Sequence, residues 1–462
     1  MQVTKIKKEE SIVNVDLEKI DFSERFSFGL GDFGTNLMYA LMVTFLTYFY
    51  TDTVGISAAL TGTIMFGVRI LDTIVGLIVG TLVDKTQSKM GKSRPWVFWT
   101  AIPFGVSGFL MSTVPDIGYN GKVIYVIITY VLVNIIFEAS NIPYGSLVSL
   151  ISRDSYERSV LSIFRNFLST IGSMLVGVIT LPLVAFFGDN QQAWIITFGI
   201  YGFFTALCLI VTSLGTKERV KPVYVPKEKV RFKKVLKTIF ENKYWLMIFF
   251  YLLFYFVYLT ASSTITVYYA EYILHDKTTI SWISLAQSLP VFAVLLVISP
   301  VIKRIGKRNT AIIGGVITLI GILLPLFDTT NLSLIIFASV LKGIGGAPLG
   351  ATMFAFLADT IDYGEWISRI RMEGILFSAG TVGQTLGMGL GSAVVGWLLG
   401  ASGFISGSST QALSVLNMIV LLFIAVPAIV IIINLFILWR FKLDKIYPQI
   451  VSDLSNKRYK ER

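Results

Sequence analysis

The segment Arg69–Arg94, RILDTIVGLIVGTLVDKTQSKMGKSR, passes from an apolar stretch into a basic loop. Within the apolar part, Arg69 and Asp72 are three residues apart and share one face of a helix. A charge at the bilayer centre costs about 2.5–3.5 kcal/mol on insertion scales, so such groups are usually paired, hydrated or functional. The remainder follows the pattern G-x-x-x-D-x(6)-GK-x-R, formed by Gly80, Asp84, Gly91, Lys92 and Arg94. The pattern predicts close helix approach at the glycine, a helix end near the aspartate and a basic cytoplasmic loop.

The composition indicates a membrane protein. Of the 462 residues, 54% are hydrophobic and 15% are charged, whereas soluble domains contain about 25% charged residues. A soluble core of this size could not bury so much apolar sequence, so we expect lipid to surround the chain. The net charge of +11 then bears on topology rather than on nucleic acid, which is not an expected partner. The single cysteine, Cys208, excludes an internal disulfide.

A helix needs about 20 mostly apolar residues to cross a bilayer. This rule predicts an all-α membrane protein with twelve transmembrane helices in two six-helix halves. The predicted spans are 28–54, 58–84, 95–114, 121–151, 160–187, 192–214, 244–274, 280–303, 309–327, 331–358, 371–400 and 411–440. The halves cover 28–215 and 244–440, a cytoplasmic loop at 216–243 joins them, and cytoplasmic tails form 1–27 and 441–462.

Lysine and arginine are concentrated in the loops that follow even-numbered spans, and the opposite loops contain few charges. The positive-inside rule therefore places both termini in the cytoplasm of a bacterial cell, with the chain in the inner (plasma) membrane. GKSRP at 91–95 and GKRNT at 306–310 follow the second span of each half. This repeat is expected of major facilitator transporters, whose substrate site lies near the bilayer midplane between two parallel repeats.

Polar side chains inside the spans are candidate substrate ligands, because amides and hydroxyls can both donate to and accept from a sugar hydroxyl. The predicted substrate-binding residues are Asp32, Asn36, Asn141, Arg165, Thr381 and Gln384. Deep in the fourth span, Glu138 shares a helix face with Asn141, where a carboxylate is expected to hold a proton or a cation.

Other interpretations of these charges remain open at this stage. Asp32 could be a helix-end carboxylate that faces water. Arg165 could form a fixed ion pair with Asp72 or Glu138, and Glu138 could pair with Arg69 or Arg165. Each alternative gives the charged residue a structural role in place of a role in transport.

The loops after spans four and ten contain many charges of both signs, which predicts ion pairs that lock the two halves in one state. An exposed pair contributes about 0–1 kcal/mol, which suits a gate that must open. The predicted gating and motif residues are Arg69, Asp84, Gly91, Lys92, Arg94, Asp362, Arg371 and Glu373. The sequence has no nucleotide P-loop, metal-ligand motif or nucleophile motif, so neither an enzyme, an ATP-driven pump nor a resident cofactor is expected.

Several motifs together resemble the glycoside–pentoside–hexuronide:cation symporter family, which includes the melibiose and glucuronide carriers. They are GLGDFGTN, YTDTVG, RILD, GKSRPW, NIPYGSL, DYGEW and IRMEG, and the resemblance covers about residues 24–400. The resemblance implies a major facilitator fold and transport of a sugar or glycoside coupled to H+, Na+ or Li+.

The residues that the family uses are matched unevenly. Asn36 and Asn141 occupy the positions of sugar-binding aspartates of the melibiose carrier, and Thr385 replaces a lysine that is common in the family. Gly145 replaces a tryptophan that packs on the sugar, whereas Arg165 matches the arginine of the fifth helix. Because most of these differences remove charge, the resemblance does not imply specificity for α-galactosides.

The cation site of the family has two aspartates four residues apart on the second helix. Here Asp72 matches the first, and Gly76 replaces the second. Glu138 aligns with a threonine at that site, so one carboxylate is lost from the second span and one is gained on the fourth. We therefore predict that Asp72 and Glu138 form the coupling site. Two close carboxylates do not both ionise easily, which favours H+, with Na+ bound at the same pair as the alternative.

Together these observations predict a secondary transporter that imports a sugar or glycoside (an oligosaccharide, pentoside or hexuronide) with H+ or Na+ by alternating access. The expected partners are the sugar, the coupling cation and the lipid bilayer, with a monomer as the simplest assembly. The alternatives are an uncoupled sugar facilitator and a lipid-handling or receptor protein on the same fold. A hexuronide is a special case, because Arg165 could pair with its carboxylate.

Overall fold

The structure is a computed structural model that describes residues 20–152, 154–220, 240–369, 373–408 and 410–456. Its longer helices are α1 (Phe22–Thr44), α2 (Ala58–Lys85), α3 (Arg94–Ser112), α4 (Gly118–Ile151), α5 (Ser155–Phe186), α6 (Gln191–Gly215), α7 (Lys243–Tyr272), α8 (Thr279–Ile305), α9 (Lys307–Leu323), α10 (Leu332–Ser368), α11 (Glu373–Ala401), α12 (Leu413–Arg440) and α13 (Leu443–Ser455). A short helix, Leu46–Tyr48, and a π-helical turn, Phe49–Thr53, continue α1, and a 3-10 turn, Leu324–Leu326, continues α9.

The described chain is helical, as predicted for an all-α membrane protein. Ten of its helices, α2 and α4–α12, are long and apolar enough to cross a membrane. The remaining two predicted spans correspond to α1, which contains Glu24, Arg25 and Asp32, and to α3, which starts at Arg94. Both helices are nevertheless about long enough to cross a membrane, at 23 and 19 residues.

Several helices extend beyond the predicted spans, and α1 and α10 do so most. Helix α1 begins at Phe22 rather than at residue 28, and α10 continues to Ser368 rather than ending at 358. The sequence predicts a tail up to residue 27, but Arg25 there lies in α1 and pairs with Glu157 at 2.9 Å. Charged helix ends are thus stabilised by partners on other helices, which the pattern along one span does not reveal.

Helices from the first part of the sequence pack against helices from the second part. Helix α1 packs against α5 and α6, α2 packs along α11, α5 contacts α8, and α7 lies against α11 and α12. Small residues allow the α2–α11 contact: a Cβ at Gly396 would lie 2.5 Å from the Ala58 carbonyl oxygen. A Cβ at Gly389 would lie 2.9 Å from Cβ of Arg69. The buried charge of α2 is therefore held directly against α11.

One capping arrangement occurs twice, at the start of α3 and at the start of α9. Gly91 and Gly306, with φ of 111° and 81°, begin the two segments. The Nε of Arg94 donates to the Ser213 carbonyl at the end of α6 (2.8 Å). The Nε of Arg308 donates to the Leu438 carbonyl at the end of α12 (2.7 Å). In both places a positive-φ glycine precedes an arginine that caps the end of another helix, although the N-cap is Ser93 in α3 and Gly306 itself in α9.

Candidate functional site

A cavity of about 390 Å³ lies between α1, α5, α7 and α8, and Met388 of α11 also lines it. This volume is within the range of about 300–1,000 Å³ that is typical of small-molecule pockets. The polar lining residues are Asn36, Tyr39, Thr44, Thr170, Ser173, Tyr258, Thr260, Ser262, Ser263, Thr266, Ser284, Gln287 and Ser288. Hydroxyls and amides therefore dominate the polar part of the wall, which suits a ligand with many hydroxyls.

Asn36 is the predicted substrate residue that lines this cavity. Its amide nitrogen donates to the Asp32 carbonyl one turn earlier (2.9 Å), and its amide oxygen accepts from Ser173 Oγ of α5 (3.3 Å). These bonds fix the amide at the junction of α1 and α5. The other predicted substrate residues, Asp32, Asn141, Arg165, Thr381 and Gln384, are not among the described residues of the wall.

Asp32 and Arg165 pair with each other. The Nε of Arg165 lies 3.3 Å from Asp32 Oδ2, and the guanidinium lies over the ring of Tyr144 at 5.2 Å from its centroid. Asp32 is 7% exposed inside α1, so its interpretation as a helix-end carboxylate in water is wrong. The alternative in which Arg165 pairs with Asp72 or Glu138 is also wrong, because the rotation of α1 turns Asp32 toward α5.

Arg69 and Asp72 form a buried ion pair on α2, with Nη1 and Oδ2 3.1 Å apart. The guanidinium of Arg69 also lies 5.5 Å from the centroid of the Tyr39 ring, within the range of a cation–π contact. Each charge therefore has a partner at a depth where an isolated charge would be costly. The ion pair of Arg69 is with Asp72, so the alternative pairing of Arg69 with Glu138 is wrong.

Glu138 on α4 faces the position where α2 lacks a side chain. A Cβ built at Gly76 would lie 3.7 Å from Glu138 Oε2 and 3.6 Å from Ile142 Cδ1. Glu138 also lies within reach of the charges of Asp72 and Arg69. The structure thus places the Glu138 carboxyl where a second carboxylate on α2 would be, next to the buried ion pair.

Tyr39 connects this charged cluster to the cavity. It lines the cavity, and its ring stacks on Phe137, the neighbour of Glu138, with centroids 5.2 Å apart. Its hydroxyl contacts the sulfur of Met388, another wall residue. Since Arg69 lies on the same ring, Tyr39 contacts both the charged cluster and the cavity wall.

Except for Arg69, the described motif residues lie near helix ends, and neither they nor Arg69 are among the described residues of the cavity wall. Lys92 Nζ contacts Asp84 Oδ1 at 2.6 Å, and Asp362 accepts a hydrogen bond from the Tyr447 hydroxyl of α13 (2.8 Å). Arg371 lies outside the described residues, as does the side chain of Glu373. The predicted pairing of these residues across the two halves therefore remains a prediction.

Several hydrogen bonds join helices α1–α6 to helices α7–α12. Many of them lie near the C-terminal ends of α1, α5 and α7. Thr44 Oγ1 and Ser263 Oγ are 2.6 Å apart, and Thr264 Oγ1 donates to the Val43 carbonyl (3.0 Å). Further contacts of this kind are Thr51 with Tyr268, Tyr272 with Asp52, Ser281 with Val178 and Lys277 with Asp189. These contacts close the cavity at that end.

The wall residues of α7 and α8 are the part of the site that sequence reasoning missed. Their signal was present as two hydroxyl-rich stretches inside apolar spans, TASSTIT at 260–266 and SLAQS at 284–288. Serine and threonine rarely attract notice in a span, because their hydroxyls can bond to the preceding turn, as Thr266 does with the Ser262 carbonyl (2.6 Å). Among the described residues, no group of three or more His, Cys, Asp or Glu could hold a metal ion.

Known proteins that resemble this chain give its family. A family model described as "MFS/sugar transport protein" matches residues 27–445. The chain belongs to this family. It is therefore a multi-pass membrane transporter of sugar type and not an enzyme, and its resemblance to the glycoside–pentoside–hexuronide:cation symporters is confirmed.

Individual relatives of this MFS sugar-transport protein match over nearly its full length. It is 35% identical to a protein named isoprimeverose transporter from Lactiplantibacillus pentosus, over 96% of this chain and 93% of that one. It is 29% identical to a putative glycoside/cation symporter of Escherichia coli, over 94% and 96%.

Two solved structures share the fold alone. A mutant of the nucleoside transporter NupG aligns with a TM-score of 0.64 at 15% identity, over 90% of this chain and 98% of that one. A proton-dependent oligopeptide transporter aligns with a TM-score of 0.67 at 13% identity, over 92% and 99%.

Proposed function

We propose that this protein imports a sugar or glycoside together with H+ or Na+ by alternating access. The observation that carries the proposal is the position of Tyr39, which lines the cavity and contacts the Arg69 guanidinium beside Asp72 and Glu138. A substrate in the cavity and a cation at the carboxyls would act on the same ring. Coupling requires such a shared element, since each ligand must change the free energy of binding of the other.

Glu138 is the proposed coupling group, with Asp72 as its positioning partner. Asp72 is already neutralised by Arg69, whereas Glu138 lies against Gly76 and Ile142 and has no ion-pair partner among the described residues. A carboxyl in such a place binds a proton or a small cation more readily than it stays charged and alone. This arrangement favours H+, and a Na+ held by Glu138 and Asp72 is the second possibility for the ion.

Alternating access is supported by the uneven distribution of contacts between the proposed halves, 28–215 and 244–440. The hydrogen bonds Thr44–Ser263 and Ser281–Val178 close the cavity at the end that the loop charges place outside the cell. The repeated caps at Gly91 and Gly306 support two related halves that move as units. In the proposed cycle, the described structure is the state in which the cavity is closed to the outside.

The test is made with the purified protein in proteoliposomes. A thermal-shift screen against neutral and acidic sugars, with and without Na+, selects a sugar, whose uptake is then followed under an imposed pH or Na+ gradient. We expect accumulation above the external concentration, and its loss when an ionophore collapses the gradient. Uptake that only reaches equilibrium would instead indicate an uncoupled facilitator. Stabilisation by lipids and by no sugar would indicate a lipid-handling protein.

A further inference from the structure

We infer that the substrate is an uncharged glycoside and that its hydroxyls bind to a wall formed by α7 and α8. The inference rests on the proposed function, sugar transport, and specifies its substrate class and a further part of its site. No charged side chain is present among the described residues that line the cavity. A sugar acid would therefore lose its hydration without gaining a cation in return, which is costly for a carboxylate.

Two arginines beside the predicted substrate ligands are already engaged in ion pairs. Arg69 lies behind the ring of Tyr39 and forms an ion pair with Asp72. Arg165, which could have served a hexuronide, forms its ion pair with Asp32 and lies over Tyr144. A substrate carboxylate at either arginine would have to share a guanidinium whose charge an aspartate already neutralises, so the geometry selects against uronides.

The wall on α7 and α8 offers hydrogen-bonding groups that the protein leaves unused. On α8, Gln287 and Ser288 lie three and four residues after Ser284, so the three side chains share one helix face. Within the described part of the chain, the side chains of Ser262, Ser284, Gln287 and Ser288 have no hydrogen-bond partner, yet all four line the cavity. An amide and three hydroxyls supply both donors and acceptors, which is the requirement for binding a neutral sugar.

Close backbone contacts hold this wall in place. A Cβ at Gly343 would lie 2.1 Å from the Gln287 carbonyl oxygen, so α10 packs directly on α8 at this residue. A Cβ at Gly177 would lie 2.9 Å from Oγ of Ser284, so α5 contacts α8 at the next wall residue. Groups on such a fixed backbone lose little entropy on binding, which favours specificity.

The first experiment compares matched ligands on the full-length protein. Neutral methyl glycosides and disaccharides are paired with their uronic-acid counterparts in thermal-shift and proteoliposome counterflow assays. We expect the neutral member of a pair to raise the melting temperature and to exchange, and the uronate to do neither. If uronates bind as well as neutral sugars, the inference is overturned while sugar transport stands. If no sugar of either kind binds, the proposed function itself fails.

The second experiment tests the wall with the neutral glycoside that stabilises the protein most. Gln287→Ala and Ser284→Ala should each raise the glycoside concentration that gives half-maximal counterflow by about three- to tenfold. This is the effect of losing one hydrogen bond of about 1 kcal/mol. The matched control is Gln192→Ala, at an exposed position at the start of α6. Unchanged affinity in both wall variants, with weaker binding in Asn36→Ala, would assign the substrate to α1 and α5 and reject the wall.

Discussion

Glu138 and Gly76 face each other across α4 and α2, and the proposed coupling carboxyl lies between them. A side chain at Gly76 would make only ordinary van der Waals contacts, at 3.6 Å and 3.7 Å. The site can therefore accept a carboxylate from either helix. Coupling should depend on having one carboxyl beside the Arg69–Asp72 pair, and less on the helix that supplies it.

This leads to a prediction for three variants. Glu138→Gln and Glu138→Thr should lose uphill accumulation but retain counterflow exchange, because exchange needs no net movement of the coupling ion. The double variant Gly76→Asp with Glu138→Thr should recover accumulation at least in part, since it returns a carboxyl to the same space. Uptake under a gradient and counterflow are measured on the same vesicles. Intact accumulation in Glu138→Gln would show that this residue does not couple transport.

A second prediction at this scale concerns Gly91 and Gly306, which both have positive φ. An alanine at Gly306 meets no neighbour within 4 Å, so it should cost only the backbone strain, about 1–3 kcal/mol. An alanine at Gly91 is also strained, and its Cβ would in addition lie 2.5 Å from the Glu218 carboxyl. The melting temperature of Gly91→Ala should therefore fall clearly further than that of Gly306→Ala. Equal losses would mean that Glu218 moves away without cost.

At the scale of helices, Glu218 is the cap of α3. Its carboxylate accepts from the backbone N–H groups of Lys92, Ser93 and Arg94 at 2.7–2.8 Å. Such N–H groups at a helix N-terminus have no acceptor within the helix, and the helix dipole favours a negative charge there. The corresponding acid at α9, Asp444, accepts from the Arg308 N–H at 3.3 Å. The cap of α9 by Asp444 is therefore weaker than the cap of α3 by Glu218.

We predict that Glu218→Ala destabilises the protein by about 1.5–3 kcal/mol, the value for hydrogen bonds to a charged group. Asp444→Ala, which removes one long bond to the start of α9, should cost less and is the matched control. Thermal unfolding in detergent measures both. A larger effect at Asp444 would show that the cap does not determine the stability of α3.

The helices also show which parts of the site were open to prediction from sequence. Asp72 and Glu138 could be linked from the resemblance, because the family has an aspartate at the position of Gly76 and no carboxylate at that of Glu138. The Asp32–Arg165 pair could not be predicted, because it depends on which faces of α1 and α5 are turned toward each other. Nor could the free hydroxyls of α8 be distinguished from serines and threonines that bond to their own helix.

For the whole molecule, the proposed transport cycle requires α1 and α7 to separate at the end where they are now joined. Thr44 on α1 and Ser263 on α7 have hydroxyl oxygens 2.6 Å apart and both line the cavity. Sequence analysis expected the lock between the halves in the charged loops after spans four and ten. Among the described residues, short-range hydroxyl contacts such as Thr44–Ser263 join them at the opposite end.

The final prediction tests this separation by cross-linking. In a Cys208→Ser background, Thr44→Cys with Ser263→Cys should form a disulfide on oxidation and abolish sugar uptake, and a reducing agent should restore it. The reduced protein controls for any effect of the substitutions on binding. Ser93→Cys with Ser146→Cys is the matched pair, because these hydroxyls are also 2.6 Å apart but both belong to the first proposed half. A cross-link there should leave uptake unchanged, since residues within one half move together. If the oxidised Thr44–Ser263 pair transports at the reduced rate, α1 and α7 stay joined throughout the cycle, and access must alternate by a different movement.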